Sequence, residues 1–100
     1  MADTDVIERK KQKQKLTEPS KWNVIMLNDD HTTMQFVLHA LTTVFQHGVE
    51  KANELMLQVH TEGSAIVGTY SFEIAEAKCV ETTTMARSEG FPLQLKVSQI

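Results

Sequence analysis

The sequence predicts a small α+β domain, with three helices packed on a three-stranded antiparallel sheet in the order βααβαβ. Three observations carry this prediction. Two stretches with apolar residues at helical spacing follow one another without a strand between them. A third such stretch lies between two short runs that read as strands. Turn formers, either Asn-Asp clusters or single glycines, fall at nearly every junction. At 100 residues the chain has room for one core.

Each element has its own signature. Trp22-Asn23-Val24-Ile25-Met26-Leu27 is aromatic and β-branched enough for a strand. Asn28-Asp29-Asp30-His31 breaks it, because Asn and Asp bond their own backbone in turns. Thr32 or Thr33 then caps a helix whose apolar residues are Met34, Val37, Leu38, Leu41, Val44 and Phe45, with Gly48 as its expected C-cap. The second helix spans about 49–61. Val49, Ala52, Leu55, Met56 and Val59 share one face, and Gly63 marks its end. Residues 65–70 read as a strand packing through Ile66, Val67 and Tyr70. Ser71 caps a helix over about 72–88, with Ile74, Ala75, Cys79, Thr82 and Ala86 as its inner stripe and Glu73 and Glu76 at its positive end. Gly90 stops it. Residues 92–97 alternate as a last strand, with Leu93, Leu95 and Val97 on one side.

Residues 1–20 are different. They hold Lys10, Lys11, Lys13 and Lys15 among glutamines and few apolar side chains, too few to offset the entropy of ordering. The expectation is a flexible N-terminal extension over 1–20 and a folded domain over 21–100. The extension lacks the apolar core of a secretory signal, and its acids Asp3, Asp5, Glu8 and Glu18 argue against a transit peptide.

Composition excludes several functions. A net charge of -3 argues against nucleic acid as partner. No apolar run of 18 or more residues offers a membrane span. The single cysteine, Cys79, allows no internal disulfide and fits a reducing compartment. No glycine-rich phosphate loop or nucleophile elbow is visible. The histidines lack companions at ligand spacing, so neither a metal nor any other cofactor is expected.

Three groups remain. Asn28-Asp29-Asp30 is a turn on ordinary preference; alternatively it is a nest of acceptors for a metal ion, a lysine or an α-ammonium. It lacks the length and alternating ligands of a calcium loop. His60, near the end of the second helix, serves the helix dipole or a ligand. Met26, Met34, Met56 and Met85 fill a core or line an adaptable apolar surface.

Four blocks then bear on function together: Leu27 to Met34; Ala52, Met56, Val59, His60 and Gly63; Glu73 to Lys78; and Ala86-Arg87 with Pro92-Leu93. In this order and spacing the chain resembles the ClpS adaptor family over residues 21–97. The resemblance implies a non-enzymatic adaptor that binds proteins beginning with Leu, Phe, Tyr or Trp. It implies delivery of these to a AAA+ unfoldase of the ClpA or ClpC type, for degradation by ClpP. It assigns the substrate's α-ammonium to Asn28, Asp29, Asp30 and His60. It assigns the side-chain pocket to Met26, Leu27, Thr32, Met34, Val37, Met56, Val59 and Leu93, with Met34 gating against β-branched residues. Glu73 and Lys78 are the implied unfoldase contacts, and the extension is implied in substrate handover. A bacterial cytoplasmic monomer is expected. His31, Thr33 and Met26 stand where the family often has tyrosine, proline and a β-branched residue or leucine, which bears on side-chain preference. The C-terminal domain of the ribosomal stalk protein, built on a similar fold, is the competing binding module; a small enzyme or metal protein using the acids and His60 is the other alternative.

Overall fold

The computed structural model describes residues 20–100, so the expected extension, Ser20 apart, lies outside the described residues. The elements are β1 (Trp22–Leu27), α1 (Met34–Thr43), α2 (Val49–Glu62), β2 (Ser64–Tyr70), α3 (Phe72–Ser88) and β3 (Gln94–Gln99). The predicted order holds. β1 is the central strand, antiparallel to β2 on one side and to β3 on the other. α3 lies across all three strands, α2 packs on β2, and α1 packs on α2.

Val24 and Met26 point from β1 into the core, where they meet Ala65 and Val67 of β2, and Leu95 and Val97 of β3 lie on the same side. The helices close over them with Phe36, Val37, Ala40 and Leu41, with Leu55 and Val59, and with Ala75 and Ala86. Thr82 is the one polar side chain fully inside among the described residues. Its hydroxyl donates to the Lys78 carbonyl at 2.8 Å, so its burial leaves no donor unmet. Trp22 meets Phe72 edge-on at 4.8 Å and ties the start of β1 to the start of α3.

Several local expectations are corrected. α1 stops at Thr43, not near Gly48. The hydroxyls of Thr42 and Thr43 both donate to the His39 carbonyl and compete with the helical ladder there. Gln46 takes the left-handed backbone at φ 60° that was expected of a glycine. Gly48 is instead the extended N-cap of α2. Lys78 reaches from α3 to donate to the Val44 carbonyl at 2.8 Å, which satisfies the end of α1.

Ile66 points outward and is 51% exposed, while Ala65 takes its expected place inside. The register between β1 and β2 shifts between Val24 and Ile25, and this irregularity adds a residue to β2. Ile74 and Val49 also face solvent. The inner row of α3 runs Ala75, Cys79, Thr82, Ala86, at steps of three and four residues, and Ile74 falls one position off it.

Candidate functional site

At one end of the sheet, β1 runs out into the turn at Asn28 while α2 ends at Gly63. Gly63 sits at φ 92°, a conformation open to glycine, and its amide returns to the Val59 carbonyl. Its own carbonyl accepts the Asn28 amide at 2.9 Å. One backbone hydrogen bond therefore joins the end of β1 to the end of α2, and His60 lies three residues before that joint.

The turn is shaped by Asp29. One carboxylate oxygen accepts the amides of His31 and Thr32 at 2.8 and 2.7 Å; the other accepts the Thr32 hydroxyl at 2.7 Å. Partial desolvation pushes this carboxyl up. The bonds from Thr32 and His31 and the nearby His31 ring outweigh it and hold the group below its ordinary value. Thr33 then caps α1, its side chain accepting the Phe36 amide at 3.1 Å.

Between this turn, the first turns of α1 and the last turns of α2 lies a hollow of about 330 Å³. Its polar side is Asn28, Asp29, Asp30, Thr32 and His60; its apolar side is Met34, Val37, Met56 and Val59. Val37 and Val59 are buried and form the floor, while Met34, 43% exposed, stands at the rim. The volume is near the lower end of ligand pockets, about 300–1,000 Å³, enough for one amino-acid residue.

These nine residues were all expected at the site, but three other expected pocket residues lie elsewhere. Met26 and Leu93 are buried in the core and are absent from the lining. Leu27 alternates with Met26 and so faces away from the helices, on the outer side of the sheet. Of the expected unfoldase contacts, Glu73 is exposed in the first turn of α3. Lys78 is half-buried, with its ammonium on the Val44 carbonyl and 5.4 Å from the centre of the Tyr70 ring. Sequence reasoning missed the Asn28–Gly63 joint, for which the only available signal was a glycine at a helix end. Among the described residues no group of three His, Cys, Asp or Glu side chains could hold a metal ion.

A hollow with acceptors on one wall and adaptable apolar side chains on the other, held on a small α+β frame, has the chemistry of a binding module that could take a cationic group joined to an apolar one. The family model described as ATP-dependent Clp protease adaptor protein ClpS matches residues 17–96. The chain belongs to the ClpS family of Clp protease adaptors. It is 38% identical over 97 residues to the ClpS adapter of Leptospira biflexa, covering 97% of this chain and 86% of the relative. It is 47% identical over 83 residues to that of Pectobacterium carotovorum, covering 83% and 78%. The solved structure of Agrobacterium tumefaciens ClpS2 bound to L-phenylalaninamide superposes with a TM-score of 0.80 at 34% identity, covering 83% of this chain and all of that one.

Proposed function

We propose that the hollow binds the free N-terminus of proteins beginning with Leu, Phe, Tyr or Trp, and that the chain delivers them to the Clp protease without catalysing a reaction itself. The observation that carries this reading is the composition of the hollow, in a chain similar to a ClpS2 that binds L-phenylalaninamide. That ligand pairs a free α-amine with a large apolar side chain and a neutral amide in place of the next peptide bond.

The chemistry is matched group by group. An α-ammonium has three donors and a positive charge. Asn28 offers an amide oxygen, Asp30 a carboxylate and His60 a ring nitrogen. Each charge-assisted bond contributes roughly 1.5–3 kcal/mol. Burial of a Leu or Phe side chain against Met34, Val37, Met56 and Val59 contributes about 1.5–3 kcal/mol more. After association costs this gives dissociation constants in the micromolar range, suited to a carrier that releases its cargo. Met34, at the rim, acts as the gate against side chains branched at β. Asp29 serves the turn more than the ammonium, since three of its roughly four acceptor positions are already taken.

The partner is the N-terminal domain of a ClpA- or ClpC-type AAA+ unfoldase acting with ClpP, and Glu73 is the better of the two expected contacts. The setting is the cytoplasm of a bacterium and the working form is a monomer. No helix among the described residues is long and apolar enough to cross a membrane. Titration of a fluorescent Phe-initiated peptide, its N-acetylated twin and calcium tests the reading. The free amine binds, and its twin and the metal do not. Equal affinity of the acetylated peptide would sink it.

A further inference from the structure

A second hollow, of about 400 Å³, lies on the other flank of the first turns of α1. Phe36 and Phe91 form its floor, packed edge-on with ring centres 5.3 Å apart. Gln35, His39 and Glu89 stand around it. Glu89 is its only carboxylate, and its lining contains no Lys or Arg. The nearby Arg87 is committed elsewhere, donating to the carbonyls of Phe91 and Leu93 at 2.9 and 2.8 Å. An aromatic floor with a carboxylate at its edge suits the alkyl stem and cationic head of a lysine or arginine.

We infer that this hollow is the docking site of the chain's own basic stretch, Arg9 to Lys15, through Lys10, Lys11 or Lys13. Charge and reach both favour this occupant. The stretch reads RKKQKQK, whereas residues 20–100 are rich in carboxylates, with Asp29, Asp30 and seven glutamates against Lys21, Lys51, Lys78, Arg87 and Lys96. The chain enters the sheet beside the end of β3, where Gln99 donates to the Ser20 hydroxyl at 2.9 Å and Ile100 to the Lys21 carbonyl. From there the hollow lies back along β3 and the residues before it, roughly 26 Å at about 3.3 Å per residue. From Ser20 an extended chain spans about 23 Å to Lys13 and about 33 Å to Lys10. Lys10 reaches the hollow by backbone alone and Lys13 with its side chain extended toward it, but Lys15, about 17 Å away, does not. Tethering gives an effective concentration on the order of millimolar, so a weak contact suffices for substantial occupancy. The hollow shares the turn at Thr32-Thr33 with the acceptor hollow, so docking parks the basic stretch beside the substrate's entrance.

The test compares ¹⁵N amide spectra of the full chain with those of a K10S/K11S/K13S variant. The expected result is a difference confined to Gln35, His39, Glu89 and Phe91. It shrinks severalfold in high salt, where screening shortens the range of the charges to about 3 Å at 1 M. Glu89→Gln, an exposed change, abolishes the tail-dependent difference. Three results would overturn the inference: coincident spectra around the hollow, a difference that persists in Glu89→Gln, or changes falling on Asn28, Asp30 and His60 instead. The readout needs no substrate and so stands apart from the proposed N-terminus binding.

Discussion

Asp29 offers the sharpest separation between shaping a site and touching its ligand. Asp29→Ala removes three hydrogen bonds, two from backbone amides and one from the Thr32 hydroxyl. Two of the three are part-buried, so each contributes near the middle of the usual range, about 1 kcal/mol. The turn therefore loses about 2–3 kcal/mol of local order, most of which appears as lost affinity because the ligand must reorder the turn. This corresponds to a dissociation constant raised roughly 30- to 100-fold. Asp29→Asn keeps one oxygen for the two amides, and its loss is nearer tenfold. Both variants should keep most of the wild-type salt dependence of binding, since Asp30, the carboxylate facing the ammonium in the proposed complex, remains. Asp30→Ala should flatten it. Fluorescence anisotropy with a Phe-initiated peptide at several salt concentrations measures both quantities. Unchanged affinity in Asp29→Ala, or a flattened salt dependence in that variant, would refute the assignment of Asp29 to the turn.

Three further outcomes are expected. His60→Ala should abolish measurable binding of the same peptide with an unchanged thermal midpoint, and Met34→Ala should admit Ile- and Val-initiated peptides; a peptide panel reads both. Gly63→Ala meets no atom within 4 Å, so its cost comes from the positive φ alone; about 1 kcal/mol of stability should be lost in urea denaturation, with peptide affinity falling too. The carboxyl of Asp29 is held below its ordinary value, so its contribution is present above the unfolded value near 3.8 and lost as pH falls through the lower folded value. Turn-dependent signals of His31 and Thr32 in an NMR pH titration should therefore persist below pH 3.8 and shift only as the pH falls further.

The helices were legible because a stripe at steps of three and four residues constrains many positions at once: Ala52, Leu55 and Val59, or Ala75, Thr82 and Ala86. Strands were less legible. A period of two gives only a parity: with Val67 inside, Ala65 goes inside with it and Ile66 faces out, and the irregularity at Val24 and Ile25 shifts the pairing beyond that point. The end of α1 depends on Thr42, Thr43 and the distant Lys78, and no local pattern announces a lysine 34 positions away. At the site, residue types and order were readable through the family resemblance. The burial of Met26 and Leu93 in the core, outside the lining, was not, since an apolar residue near a site in sequence looks the same whether it lines the cavity or fills the core.

The bond from the Asn28 amide to the Gly63 carbonyl makes the two walls of the acceptor hollow mechanically one. Asn28 and His60 belong to different elements, yet neither wall can drift without breaking the same peptide contact. Fraying of α2 and unzipping of the β1–β2 edge thus become a single event as far as the ligand is concerned. The rate at which deuterium replaces the Asn28 amide proton would then be a clock for how long the site stays assembled.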